Sequence, residues 1–399
     1  MRSKAILLTS VLTLSFAMAG VTAAQTIGEI PPPVGPGAAE PFLSSAHGGL
    51  LLSWLEPVQG TKRVALRFAR LTGEKWSAPL TIAERDDFFV NWADFPSVVA
   101  DAKGVLFAHW LQMSAAGTYT YDVRMVTSSD HGRTWGAPFL LNRDGKRVEH
   151  GFVTLAPLPG GGVGATWLDG RNMPEGKEEG EMSVRYARVD ARGVIRSDVQ
   201  LDGRTCECCT TGMAIMGGYP IVVYRDRSPE DVRDIAVVRQ TVNGWSKPRP
   251  LHTDGWKIVG CPVNGPQVAA GGRNVAVAWF TGASEQPRAY IAFSANKGAT
   301  FGEPVVIDDG KPVGRVDIVM LDADTAIVSW LEQTPGGAEL RARRVRRNLK
   351  AGASIKVADT SAARAAGFAR MASVGGDVYV AWTEQSAMNK KVHVARVRF

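Results

Sequence analysis

The chain has 399 residues, 45% hydrophobic and 21% charged, a globular composition that excludes intrinsic disorder. Glycine (43), proline (22) and tryptophan (11) are abundant and long amphipathic runs are missing, which excludes a helical protein. The formal charge is +7; Arg2 and Lys4 carry two units, and the remaining +5 is spread too thinly to mark a nucleic-acid partner.

The first residues, Met1-Arg2-Ser3-Lys4, are basic, an apolar stretch follows from Ala5 to Ala19, and small residues Val21-Thr22-Ala23-Ala24 end it. This order predicts a signal peptide over residues 1–24, cleaved after Ala23 or Ala24, and a periplasmic or secreted protein. The apolar run is short for a bilayer, and no later segment is long and apolar enough to span one. Residues 25–40 contain Pro31-Pro32-Pro33 and Gly35-Pro36-Gly37, a stiff linker that neither a helix nor a central strand can incorporate.

From residue 41 to 399 one phrase recurs. Trp54, Trp110, Trp167, Tyr224, Trp279, Trp330 and Trp382 head equivalent short segments at spacings of 56, 57, 57, 55, 51 and 52 residues. Before each lies a turn, such as Ala102-Lys103-Gly104, and after each an alternating strand, such as Val64-Ala65-Leu66-Arg67-Phe68. A lone four-stranded meander cannot bury both faces, whereas units stacked around an axis cover one another. The expected fold is therefore an all-β propeller of seven four-stranded blades, with six as the runner-up. The seventh unit has no room for its fourth strand before Phe399, so Thr26–Ile30 is expected to supply it.

Within the second unit, Ser128-Ser129-Asp130-His131-Gly132-Arg133-Thr134-Trp135 fits Ser-x-Asp-x-Gly-x-Thr-Trp. Ser294-Ala295-Asn296-Lys297-Gly298-Ala299-Thr300-Phe301 repeats it with Asn for Asp and Phe for Trp, and degenerate copies end at Trp76 and Trp245. The Asp or Asn caps a hairpin turn, and glycine takes its positive-φ position. This pattern resembles the Asp-box, or BNR repeat, of the sialidase-like propeller superfamily, over essentially the whole chain after the leader. For a true sialidase the resemblance implies a three-arginine clamp on the substrate carboxylate, a tyrosine–glutamate nucleophile pair and an aspartate acid/base. The first clamp arginine commonly stands in Arg-Ile-Pro near the N-terminus, but this chain has Glu29-Ile30-Pro31. Arg171, Arg225, Arg227, Arg315 and Arg370 are other clamp candidates. The tyrosines are poorly placed, since Tyr224 heads a repeat phrase.

All four cysteines follow: Cys206, Cys208 and Cys209 in Thr-Cys-Glu-Cys-Cys-Thr-Thr, and Cys261 in Gly-Cys-Pro-Val-Asn-Gly. The trio sits 18, 16 and 15 residues before Tyr224, and Cys261 sits 18 before Trp279. Both groups therefore fall where the chain enters the innermost strands of blades four and five, at the mouth of the axial channel. His150, 17 before Trp167, and Asp94, 16 before Trp110, stand at the same level. Asp94, His150, Arg315 and Arg370 are the candidate ligand-binding residues of that mouth.

Two readings of the sulfurs stay open. Exported cysteines are normally oxidised, so disulfides tying blades four and five together are one. The other is a thiolate-rich site of Cys206, Cys208, Cys209, Cys261 and His150, whose soft donors favour copper as Cu(I). The leading function is then a non-hydrolytic binding protein whose axial mouth handles a metal such as copper, a small ligand or a thiol partner. A sialidase-type glycoside hydrolase acting on glycans is the alternative, and an interaction scaffold with disulfide-stapled blades the third. Arg341 to Arg347 reads as a solvated strand edge, and Glu175 to Glu181 as a charged loop.

Overall fold

Each repeat phrase forms the second strand of an antiparallel meander. A computed structural model describes residues 25–174, 180–348, 350–386 and 389–399. The expected leader, and residues 175–179 of the expected charged loop, lie outside them.

Seven sheets follow one another around the ring, so the six-bladed alternative is excluded. Their innermost strands are Ala39–Ala46, Ser97–Ala100, His150–Pro157, Gly212–Met216, Gln267–Gly271, Pro312–Met320 and Arg370–Val374. In blades one and four the outer position is shared by two short strands. Blade seven is completed from the other end of the chain. Thr26–Glu29 pairs antiparallel with Asn389–Arg398, Thr26 opposite Arg398 and Glu29 opposite Ala395. That pairing closes the ring, the first strand of the chain becoming the outermost strand of the last blade.

The repeat aromatics fill the seams between blades. Trp54 packs with Tyr379 and Val392 of blade seven, Trp279 with Ile221 and Val223 of blade four, and Trp330 with Ile291 and Phe293 of blade five. All seven are buried. The acidic residue two positions on is architectural, since Glu56, Asp169 and Glu332 accept the indole N–H of Trp54, Trp167 and Trp330 at 2.7–2.8 Å. A buried indole donor is thereby satisfied.

The two Asp-boxes fold alike on the rim. Asp130 Oδ1 accepts from the Thr134 N–H (2.9 Å), and Gly132 N–H donates to Ser128 Oγ (2.9 Å). Asn296 and Ser294 repeat both bonds with Thr300 and Gly298, at 2.9 Å each. Gly132 (φ 85°) and Gly298 (φ 69°) occupy the left-handed position the turn requires. No helix among the described residues is long and apolar enough to cross a membrane.

Candidate functional site

In a meander, the loops leading into the innermost strands and those joining second to third strands share one end of the ring. At that end lies a cavity of about 530 Å³. Phe89, Trp92 and Tyr119 form one wall, Cys208, Cys261, Met173 and Glu207 another, and Arg147 and Arg364 add charge. Its size suits a small molecule. The channel beneath narrows to about 210 Å³ between the innermost strands, where Asp94 and Arg370 lie.

The sulfurs converge here. Cys206 Sγ is 3.3 Å from Cys209 Sγ and 3.8 Å from Cys208 Sγ, and the three lie within 4.8 Å of one another. Cys261 arrives from the next blade, within hydrogen-bonding reach of Cys208. No S–S bond joins any two of the four in this structure. Cys206 and Cys209 are buried, Cys208 is half-buried and Cys261 is exposed, so the cluster grades from the protein interior to the cavity.

Arginines hold this arrangement. Arg225 is 1% exposed, and its guanidinium donates to Asn264 O (2.8 and 3.0 Å), Arg233 O (2.6 Å) and Phe280 O (2.6 Å). Its own carbonyl accepts the Cys206 N–H at 3.0 Å. One residue thus ties the Cys206 turn to the loop that carries Cys261. Arg233 Nη1 lies 3.2 Å from Cys206 Sγ and donates to Glu207 Oε2 at 2.7 Å; Glu207 also receives Arg227.

The electrostatics follow from these contacts. Burial pushes the Cys206 thiol up, but hydrogen bonds from Cys208 and Cys209, the Cys208 N–H and the Arg233 charge outweigh it. The net shift is well below the ordinary thiol range. Cys208 is raised because its proton is shared with Cys206 and the other sulfurs, and Cys209 is raised first by burial and then by the same sharing. Within the Cys206–Cys208–Cys209 turn the negative charge therefore falls first on Cys206, and Cys208 and Cys209 hold S–H groups that a soft cation can displace.

The other expected mouth residues do not join the sulfurs. His150 faces carboxylates: Nε2 lies 3.2 Å from Asp144 Oδ2 and 3.9 Å from Asp169 Oδ1, and Nδ1 lies 3.7 Å from Asp122 Oδ1. Burial lowers its pKa, yet these carboxylates win and the net shift is upward. Arg315 donates to the carbonyls of Ala362, Ala363 and Gly367 at 2.9–3.1 Å and lies over the Trp92 ring. It secures the loop before blade seven. Arg370 is buried in the channel between Phe95 and Phe368, 3.9 Å from Asp317.

Asp94 serves two purposes. Its Oδ1 accepts the Phe152 N–H at 2.7 Å, a blade-to-blade tie repeated where Asn264 receives Arg315 N–H (2.7 Å) and Asp317 receives Met371 N–H (2.6 Å). Its Oδ2 is 3.0 Å from Tyr121 Oη, which donates to Glu149 Oε1 at 2.7 Å. Burial pushes Asp94 up to about 8, so at neutral pH it carries a proton into this chain of oxygens.

Tyr121 and Glu149 therefore enter a site in which sequence reasoning placed no tyrosine. Glu149 stands 18 residues before Trp167, the offset that Cys206 and Cys261 share, and that ruler was sufficient to find it. None of the five clamp candidates faces the cavity. Arg171 is paired with Asp169 and Arg227 with Glu207 and Asp231, while Arg225, Arg315 and Arg370 are held as described.

Together, the seven closed blades and the Asp-boxes define a sialidase-like seven-bladed propeller. Solved structures agree on the fold. The chain is similar to the polysaccharide lyase Uly1 at 9% identity, covering 90% of this chain and 89% of that one, with a TM-score of 0.56. It is similar to the GH93 alpha-L-arabinofuranosidase of Fusarium graminearum at 13% identity, covering 93% and 97%, with a TM-score of 0.51. It spans 63% of the Hadza microbial sialidase Hz136, with 74% of this chain covered, 15% identity and a TM-score of 0.44. No protein-family model and no curated protein matches the chain.

Proposed function

We propose that the axial mouth is a binding site for a soft metal ion, copper as Cu(I), and that the chain is a non-hydrolytic metal-binding protein. The observation that carries this reading is the convergence of the Cys206, Cys208 and Cys209 sulfurs within 4.8 Å, with Arg233 beside them to offset thiolate charge. Thiolates prefer Cu(I) to harder ions, and Cys261 supplies a fourth sulfur on the cavity side. Export, expected from residues 1–24, would make this a periplasmic or secreted copper protein. The test is Cu(I) titration of the reduced protein against a colorimetric chelator, alongside Cys206→Ser, Cys208→Ser and Cys209→Ser. Retention of one ion, weakened at least ~tenfold by each substitution, supports the reading. Equal affinity in all four proteins sinks it.

A second reading, a glycoside hydrolase acting in the same cavity, is favoured by one observation. Tyr121, bonded to Glu149 beside Asp94, matches the tyrosine–glutamate pair and aspartate that the superfamily resemblance implies. Assay of a panel of fluorogenic glycosides decides it: turnover abolished by Tyr121→Phe establishes hydrolysis, and no turnover on any glycoside removes it.

A further inference from the structure

We infer that the four cysteines also form a two-stage dithiol–disulfide relay, Cys208 with Cys261 as the outer pair and Cys206 with Cys209 as the inner pair. Its substrate would be a small disulfide carrying carboxylates. The inference does not rest on metal binding.

The grading of the sulfurs separates the pairs. Cys261 is exposed, neighbours Cys208, and both line the cavity. Cys206 and Cys209 are shut away from it, 3.3 Å apart at the i, i+3 spacing that lets two cysteines of one turn bridge. Cys208 touches both sets, 3.8 Å from Cys206 Sγ. A sulfur path thus runs from solvent to interior through Cys261, Cys208, Cys206 and Cys209 in turn.

The exchange balances. The Cys261 thiolate attacks one sulfur of the substrate disulfide, and the second substrate sulfur leaves as a thiolate that takes a proton from water. Cys208 then attacks the Cys261 sulfur, releasing the first substrate sulfur as a thiol and leaving a Cys208–Cys261 disulfide. Substrate is reduced by two electrons and the outer pair oxidised by two. Cys206 next attacks Cys208 and frees Cys261; Cys209 attacks Cys206 and frees Cys208. The disulfide ends on Cys206–Cys209, and the outer pair is ready for a second substrate molecule.

The cavity wall selects the substrate class. Arg147 and Arg364 line it with no ion pair to a described carboxylate, while the two acidic residues of the wall are already engaged, Glu149 by Tyr121 and Glu207 by Arg227 and Arg233. The two arginine charges favour a disulfide bearing carboxylates over a neutral one. A volume of about 530 Å³ fits a peptide-sized molecule and not a folded protein.

The test uses purified, fully reduced, metal-free protein and oxidised glutathione, with thiols counted and bridges located by peptide mass mapping. The relay predicts that two equivalents are consumed and that the first bridge to accumulate is Cys206–Cys209. The double variant Cys206→Ser/Cys209→Ser stops after one equivalent with a Cys208–Cys261 bridge. Cys261→Ser, at an exposed position, slows the reaction at least ~tenfold. Hydroxyethyl disulfide, a neutral probe, reacts more slowly, and Arg147→Ala/Arg364→Ala removes the difference. Wild-type rates in Cys261→Ser, a first bridge anywhere but Cys206–Cys209, or glutathione left bound on Cys261 as the end product overturns the relay. A faster reaction with the neutral probe overturns the substrate class. Because no metal is present, none of these results bears on copper affinity.

Discussion

Arg233→Ala isolates the electrostatic part of the cysteine site. The guanidinium lies 3.2 Å from Cys206 Sγ, and its side chain is 4% exposed, so water does not replace it well. At an effective dielectric of about 20, a full charge pair at that distance is worth about 5 kcal/mol. Glu207, which accepts from the same guanidinium at 2.7 Å, cancels part of this. The net figure is that of a hydrogen bond to a charged group, about 1.5–3 kcal/mol. Cu(I) affinity should therefore fall about 10- to 150-fold, with stoichiometry unchanged. Arg233→Lys, which keeps the charge but not the fork, should recover part of the loss. Competitive chelator titration reads the affinity, and circular dichroism checks that the blades persist. Unchanged affinity in a folded Arg233→Ala protein would show that the Cys206 thiolate does not depend on its neighbour, and would refute this reasoning.

Three further outcomes are expected. Arg225→Lys should destabilise the fold by about 3 kcal/mol or more, because it strands buried carbonyls of Asn264, Arg233 and Phe280; thermal unfolding measures it, and a loss under ~1 kcal/mol contradicts the tie. Trp330→Ala, at the seam of blades five and six, should cost about 3–5 kcal/mol in denaturant unfolding, against less than ~1 for an exposed residue such as Val242. For Asp94, raised by burial to about 8, the folded protein keeps a proton that the unfolded chain has lost across pH 4–8. Stability should fall with rising pH over that window by at most about 1.4 kcal/mol per unit. Asp94→Asn, which preserves the shape of the tie to Phe152 and Tyr121, should flatten that slope; an identical pH profile in the variant would discount it.

Architecture was legible because it is repetitive. Seven aromatic phrases at near-constant spacing favoured seven blades over six, and the deficit at Phe399 pointed to a closing strand near Thr26, which pairs with Arg398. The same ruler put Cys206 and Cys261 at one level, and the fold brings the two cysteine loops together. It was less informative about side-chain direction. His150 stands at the offset of the cysteines yet turns into a nest of Asp122, Asp144 and Asp169, because an innermost strand has two faces and spacing alone does not choose one. Arg315 and Arg370 are charged residues on the right strands, but burial commits one to backbone carbonyls and the other to the channel. Tyr121 begins a third strand, outside the repeat phrases, and the Asp94–Tyr121–Glu149 contact joins residues 27 and 28 positions apart across two blades. No local pattern encodes such a contact.

X-ray absorption at the copper edge, on protein reduced and loaded with one equivalent of Cu(I), addresses the metal site most directly. The account predicts a monovalent ion with only sulfur in its inner coordination sphere, altered when Cys206 is replaced by serine. An ion coordinated by nitrogen and oxygen alone, or copper lost on desalting while all four thiols stay titratable, contradicts it.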